Sequence, residues 1–424
     1  MISRRYGVVL LFSVVISCTN ERIRSDESPA EYATRLAGDF GADFLVDRLN
    51  ALADARGEEY MIDGDALTWA GYQQLMSGNI ETSLVLQEAA TTLFPQSARA
   101  WENLGEVGVY LGDRELAQRS FERAVALDST NDARWRIDRL DQSLRDAANE
   151  TDVLILFEPG EPTGLVGPYF GQSLPGAIPE VFAPGIVSTR GGHEFSCSFT
   201  PDGREFYFNR GPNIYVSYWR EDGWTAPEFA AFNSDQLDHE PFIASDASKL
   251  FFGSGREREG AEGNEAYGIW VMERLADGWG PPEYLFPGMF VTTAASGNAY
   301  VTDVFYTVGG GICLYPWDGE EFRDCQRLRG GINSGEAAHP LIAPDESFLI
   351  FDGDDDLYIS FPLGDGSWSA GVRIDEISDL GSIMTASLSP DGRVLFFYAN
   401  HDIYWVSTEV LQPYVAVFLA QSLR

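Results

Sequence analysis

The stretch Phe199-Thr200-Pro201-Asp202-Gly203-Arg204-Glu205-Phe206-Tyr207-Phe208 joins a tight polar turn to a strand dense in aromatic residues. Proline presets φ at the first corner, the aspartate caps the turn, and glycine accepts the positive φ that follows, so the chain reverses and continues as a strand. The unit recurs. Ala244-Ser245-Asp246-Ala247 precedes Leu250-Phe251-Phe252, Ala343-Pro344-Asp345-Glu346 precedes Phe348-Leu349-Ile350-Phe351, and Ser389-Pro390-Asp391-Gly392 precedes Val394-Leu395-Phe396-Phe397. Asp202, Asp246, Asp345 and Asp391 lie 44, 99 and 46 residues apart in succession. The gap of 99 is two periods, which predicts a divergent unit around Val304-Phe305-Tyr306.

Each unit carries a second turn. Asp222-Gly223-Trp224, Asp277-Gly278-Trp279, Asp318-Gly319, and Asp365-Gly366 with Trp368 sit between an aromatic strand, such as Ile214-Tyr215 or Ile403-Tyr404, and a further strand. Pro227-Glu228-Phe229 and Pro282-Glu283-Tyr284 open that further strand, and Pro179-Glu180-Val181 repeats the signature ahead of the first unit. Four strands per unit follow. The region therefore begins with a fourth-type strand and ends with a third-type strand at Asp402 to Val406, and pairing the two closes a ring without exposed edges. This phase favours five blades; a sixth, built from residues 153 to 170 and the C-terminal tail, is the alternative. Trp224, Trp279 and Trp368 are expected to seal blade against blade.

The Pro-Asp-Gly units, Ile-Tyr strands and Asp-Gly-Trp turns resemble the WD-like propeller repeats of the TolB-like family, across residues 178 to 408. The run from Gly167-Pro168-Tyr169-Phe170-Gly171-Gln172 to Gly185 resembles the lead-in of exported members.

The first third obeys a different period. A shift of 34 residues superimposes Leu67 on Trp101, Ala70 on Leu104, Gly71 on Gly105, Gly78 on Gly112, Ser83 on Ala117 and Ala90 on Ala124, with small residues where helices must touch. Trp101, Leu104, Gly105, Ala117, Phe121 and Ala124 resemble the tetratricopeptide pattern, while Ser129 stands where a proline is expected. Two such repeats need flanking helices to cover their apolar faces; Ala42 to Arg56 and Asp132 to Ala147 are the candidates. The resemblance implies a groove for a partner segment, with Asn103 and Arg119 as candidate groove-facing residues.

Arg4 and Arg5, the apolar run Val8 to Ile16, and Ser17 before Cys18 have the layout of an export signal too short to span a bilayer. Val15-Ile16-Ser17-Cys18 resembles the lipobox of bacterial lipoproteins, which implies lipidation of Cys18 and a place in the cell envelope, on the periplasmic face of the outer membrane or at the cell surface. The reading divides the chain into this signal (1–18), a linker and capping helix (19–60), helical repeats (61–148), a connecting segment (149–177), the propeller (178–408) and a tail (409–424). The fold class is a multidomain chain, a short α-helical array followed by an all-β propeller.

The chain has 424 residues, with 65 acidic against 29 basic and a formal net charge of −36. Lys249 is its single lysine. Such a field repels phosphate backbones, so nucleic acid is not an expected partner. An oxidising compartment leaves Cys313 and Cys325, placed evenly about Asp318-Gly319, as a candidate disulfide, with two buried thiols as the alternative.

The chemistry-bearing residues are sparse. Of the four histidines, His193, His239 and His339 precede or open the innermost strand of their units, and Glu194 and Glu240 adjoin the first two. Together His193, Glu194, His239, Glu240 and His339 form a candidate ligand site at the channel mouth; whether it takes a metal stays open, because the histidines sit at different distances from the following turn. Asp352, Asp354, Asp355 and Asp356 read as an acidic, solvated hairpin loop. No nucleophile elbow, phosphate loop or zinc-protease helix is present, and no cofactor is expected. The expected function is a lipid-anchored scaffold for envelope protein partners. The alternative is a glycan-binding or metal-dependent glycan-active propeller of the lyase or glycosidase kind.

Overall fold

The computed structural model describes residues 28–56, 62–76, 78–128, 133–151, 153–234, 236–258, 267–276 and 278–422. The expected export signal and Cys18 lie outside the described residues. The chain begins with helix α1 (Pro29–Asp39), where Ser28 and Glu31 form a reciprocal capping box: the Ser28 hydroxyl accepts from Glu31 N at 3.2 Å and Ser28 N donates to the Glu31 carboxylate at 2.7 Å. Helix α2 (Ala42–Arg56) occupies the span expected of a capping helix. Helices α3 (Gly64–Met76) and α4 (Ile80–Leu93) form one hairpin, α5 (Ala98–Tyr110) and α6 (Arg114–Leu127) the next.

Small residues set the helix contacts. A Cβ on Gly105 would lie 2.4 Å from the Phe121 ring, and one on Gly108 would lie 2.6 Å from Ala117 N. At Gly71, one repeat earlier, the contact is the Gln87 side chain, which is buried and donates to Thr68 O at 2.9 Å. The expected single helix over 132–147 is instead two, α7 (Ala133–Asp138) and α8 (Leu140–Ala148). They break at Arg139, whose guanidinium pairs with Asp355 of the second domain.

That domain is a propeller of five sheets. The chain enters through β1 (Glu180–Val181). Blade one holds β2 (Glu194–Phe199), β3 (Glu205–Arg210) and β4 (Asn213–Arg220), with β5 (Gly223–Trp224) and β6 (Glu228–Phe229) at its outer edge. Blade two holds β7 (Asp238–Ile243), β8 (Lys249–Ser254), β9 (Gly268–Leu275), β10 (Gly278–Trp279) and β11 (Glu283–Phe286). Blade three runs β12 (Met289–Thr293), β13 (Ala299–Thr302), β14 (Ile312–Tyr315) and β15 (Gln326–Arg327). Blade four runs β16 (Ala338–Ile342), β17 (Leu349–Gly353), β18 (Asp356–Ser360) and β19 (Val372–Arg373). Blade five has β20 (Met384–Leu388), β21 (Val394–Ala399) and β22 (Asp402–Ser407), completed by β1.

Closure follows the predicted phase. Glu180 pairs with Trp405 and Val181 with Tyr404, and Phe182 N continues the ladder to Ile403 O at 2.8 Å. Residues 153–170 add no blade, and the tail forms helix α9 (Gln412–Ser422), whose Phe418 stacks on Phe361 of blade four at 4.4 Å.

The third blade departs from expectation. Its first turn is Ala295-Ser296-Gly297-Asn298, and Val304-Phe305-Tyr306 falls in the connection between β13 and β14 instead of in a strand. Glycine at 297, with φ of 89°, keeps the turn after proline and aspartate are lost. Cys313 and Cys325 are joined as a disulfide. Trp279 Nε1 donates to Tyr207 OH at 2.9 Å across blades one and two, and Trp368 packs edge-on against Tyr300 across blades three and four. Trp224 stacks at 4.6 Å on Phe170 of the lead-in.

Phe182 is fully buried among Phe199, Phe206, Phe396 and Trp405, next to a closing ladder only two residue pairs long. Phe182→Ala is predicted to lower propeller stability by about 3–5 kcal/mol. Alanine at Phe229, which is 51% exposed at a blade edge, should change it by about 0.5 kcal/mol or less. Denaturant titration followed by tryptophan fluorescence checks both; equal effects would mean the closing seam is not a core.

Candidate functional site

The propeller's innermost strands share one irregularity that places the channel side chains. Each is bulged against its neighbour, and the bulge puts a non-glycine residue at positive φ: Ser196 at 41°, Glu240 at 58°, Phe290 at 49°, His339 at 44° and Thr385 at 51°. In four blades this residue stands six before the turn aspartate, as 196 to 202, 240 to 246, 339 to 345 and 385 to 391. Ring equivalence therefore belongs to Glu240 and His339, whereas His239 is one residue earlier and His193 precedes its strand.

Left-handed backbone at an L-residue costs about 1–3 kcal/mol. Cross-blade hydrogen bonds offset it. Glu240 N donates to Asn209 Oδ1 at 2.6 Å, Phe290 N to Glu240 Oε2 at 3.1 Å, His339 N to Thr302 Oγ1 at 2.9 Å, and Thr385 N to Asp352 Oδ1 at 3.1 Å. Every donor is a bulge N–H, and every acceptor belongs to the preceding blade. At the closing seam Glu194 N donates to His401 O at 2.8 Å, and Cys197 Sγ lies 3.3 Å from Ser387 Oγ.

The five residues expected at one mouth separate into three groups. First, Glu240 lies between two imidazoles, with His239 Nδ1 at 3.4 Å and His339 Nε2 at 3.5 Å. His339 Nδ1 approaches Asp352 at 2.8 Å, and Tyr267 OH lies 2.6 Å from His239 Nε2. Burial alone would raise the Glu240 pKa, but the two imidazoles hold it far below the carboxylate range. Burial would lower His339, yet Asp352 and Glu240 push it up to about 10. His339 is thereby held as an imidazolium between Glu240 and Asp352. Asp352 is thus a buried strand residue and not part of a solvated loop; the hairpin turn itself is made by Asp354 and Asp355, both at positive φ.

Second, His193 does not join His239 or His339, because the Phe195 ring stands between them, 5.6 Å from His193 and 6.4 Å from His239. It meets His401 instead, Nδ1 to Nδ1 at 2.9 Å. Over this pair sits Tyr110, the last residue of α5, with its hydroxyl 3.0 Å from His193 Nδ1 and 3.1 Å from His401 Nδ1. Burial depresses His193 to about 4, and burial with the neighbouring His193 depresses His401 to about 3, so both rings are neutral.

The helical array is seated here by further contacts. Gly78 abuts Gly191, where a Cβ would come within 2.6 Å of the carbonyl oxygen, and Thr151 N donates to Asp402 at 2.8 Å. Glu150 accepts from Gly191 N, and burial pushes its carboxyl up to about 8 in spite of that bond.

Third, Glu194 is wholly buried and pairs with Arg210 at 2.8 Å, while Arg210 also donates to Ile186 O and Val187 O. Burial lifts Glu194 to about 7 against the pull of Arg210. This pair ties blade one to the loop after β1.

Among the described residues no three His, Cys, Asp or Glu side chains are disposed to hold a metal ion. The array has its own cleft, about 710 Å³, lined by Asp43, Glu88, Trp101, Leu104, Arg119 and Arg123 among others. Arg119 faces it; Asn103, on the same helix as Trp101, does not line it. Tyr110, Tyr267 and Asp352 were not singled out for the site from the sequence. Asp352 had a readable signal, since it lies opposite the His339 strand in a regular hairpin. Tyr110 had none, because its role arises only on docking.

No protein-family model matches the chain, and no curated protein matches it. Among solved structures, a protein assigned as TolB from Agrobacterium tumefaciens is 18% identical, covering 51% of this chain and 73% of its own with a TM-score of 0.37. TolB from Acinetobacter baumannii is 13% identical over 52% of this chain and 55% of its own, TM-score 0.33. A gluconolactonase from Xanthomonas campestris is 11% identical over 50% of this chain and 85% of its own, TM-score 0.35.

His339→Gln strands the Glu240 charge and is predicted to destabilise the propeller by about 3–5 kcal/mol at pH 7. Adding Glu240→Gln should recover a large part of that loss in a double-mutant cycle, and strictly additive losses would refute the pairing. Tyr110→Phe keeps the ring but removes its bridge, and should cost about 1 kcal/mol, read as faster amide exchange around Gly78 and Gly191 with β20 to β22 unchanged.

Proposed function

We propose that the chain is a lipid-anchored envelope scaffold in which helical array and propeller act as one docking body for a protein partner, without catalysis. The observation that carries this reading is Tyr110 inserted against His193 and His401. The array thereby covers the histidine end of the channel, and the titratable groups beneath are committed to one another. A pore whose acids and bases are paired and 4–12% exposed offers a substrate little to react with. The surfaces left for recognition are the array cleft and the rims.

The cleft suits an extended or helical segment of mixed character. Trp101, Leu104 and Leu116 supply apolar contact, Arg119 and Arg123 attract carboxylates, and Asp43 and Glu88 favour a basic residue at the opposite end. Cys18 would supply the membrane attachment. No helix among the described residues is long and apolar enough to cross a membrane. The net charge of −36 opposes binding to nucleic acid.

Two measurements test the reading. Cys18→Ala should move the protein from the membrane to the soluble fraction and abolish labelling by a fatty-acid probe; retention with labelling would contradict the anchor. A photo-crosslinking residue at position 101 in intact cells should give one discrete adduct that Arg119→Glu reduces at least five-fold without altering thermal unfolding. Adducts indifferent to Arg119 would contradict the cleft as a docking surface.

A further inference from the structure

The end of the disc opposite the histidines carries a second cleft. Blade one's inner strand spans six residues, about 20 Å at 3.3 Å per residue, between His193 and the turn at Pro201. At that far end only two of the five blades retain arginine in the Pro-Asp-Gly turn: Pro201-Asp202-Gly203-Arg204 and Pro390-Asp391-Gly392-Arg393. Blades five and one are neighbours across the closing seam, so both turns border one cleft of about 430 Å³. Its remaining walls are aromatic. Trp219, Trp224, Phe199 and the lead-in residue Tyr169 line it.

The polar groups are unequally committed. Asp391 is saturated: it accepts from the Ser389 hydroxyl at 2.7 Å, from Tyr169 OH at 3.3 Å, and from Arg393 Nε at 2.7 Å. Arg393 is thereby neutralised within its own turn. Asp202 accepts from the Thr200 hydroxyl at 2.7 Å and from Arg204 N at 3.1 Å through a single oxygen. The Arg204 guanidinium has no hydrogen-bond or ion-pair partner among the described residues, and it is exposed. Its neighbours at this end behave differently: Lys249 pairs with Glu273, Arg274 with Glu205, and Arg323 with Asp318 and Glu321. In a chain carrying 65 carboxylates, a cation left without one beside a half-buried indole is a place where the anion is to be brought by a ligand.

We propose that this seam cleft binds an acidic pyranoside, a sugar bearing a uronate carboxylate. The ring's apolar face stacks on Trp219, which is half-buried and held edge-on by Trp224 at 5.7 Å. The carboxylate takes the bidentate fork of Arg204. The second oxygen of Asp202 accepts a ring hydroxyl. The volume fits the range of small-ligand sites, roughly 300–1,000 Å³. The site is separate from the array cleft and the histidine channel, and its failure would leave the scaffold reading untouched.

The test is calorimetric titration of the intact chain with β-1,4-linked triglucuronate and with cellotriose, its neutral counterpart. Saturable binding is expected for triglucuronate, at least ten-fold tighter than for cellotriose and weakened by added salt. Arg204→Gln should erase that preference while leaving thermal unfolding unchanged. Trp219→Ala should abolish binding of both, and Trp219→Phe should keep it. No heat with triglucuronate, equal affinity for the two sugars, or an Arg204→Gln variant of undiminished affinity would each overturn the proposal.

Discussion

A sheet rolled into a disc has no free edge only where its first and last strands pair, and here that pairing amounts to Glu180 and Val181 against Trp405 and Tyr404. Two residue pairs are a short ladder to close a ring of five sheets. Side chains make up the difference: Phe182, Phe199, Phe206, Phe396 and Trp405 come from both sides of the seam and bury one another almost completely. The lead-in adds Tyr169 and Phe170, both at positive φ, as a clamp over the same cluster. Everything that needs the blades at fixed angles depends on this joint, including the channel's hydrogen-bond belt and the docking of the array beside it.

Within the ring, strain and polarity are coupled. The bulged inner strands force five residues into left-handed backbone, and four of the amides thus turned sideways reach a side chain of the preceding blade. Glu240 serves twice, accepting an amide of blade three and standing between two histidines. Removing such a carboxylate is therefore not a local change. The channel's Glu240, His239, His339 and Asp352 are linked in one line, and Tyr110 covers the His193–His401 end.

The closure phase, the five-blade count and the seams at Trp279 and Trp368 were legible because turn chemistry and strand order are local and periodic, whereas Trp224 turned out to pack on the lead-in and not against a neighbouring blade. The bulge was also encoded, in the constant six-residue spacing to the turn aspartate, but measuring from the histidines concealed it. Blade three was hard to place because Ser296-Gly297 replaces the Pro-Asp pair, so aromatic residues in a loop passed for a strand. Helix α1 was missed although Ser28-Pro29-Ala30-Glu31 is a capping box followed by apolar residues at helical spacing. What sequence could not supply was the grouping of the histidines. His401 is distant in sequence from His193 and is brought to it only by ring closure, and Tyr110 reaches both only after a separate helical domain has docked.

With four histidines in the chain, their individual titration by NMR reads the central claim directly. If the array seals a dry, paired channel, His193 and His401 stay neutral down to about pH 4 and His339 keeps its proton until about pH 10. Four resonances all titrating near the unperturbed value of about 6.5 would mean an open, hydrated channel and an array that is not seated on it.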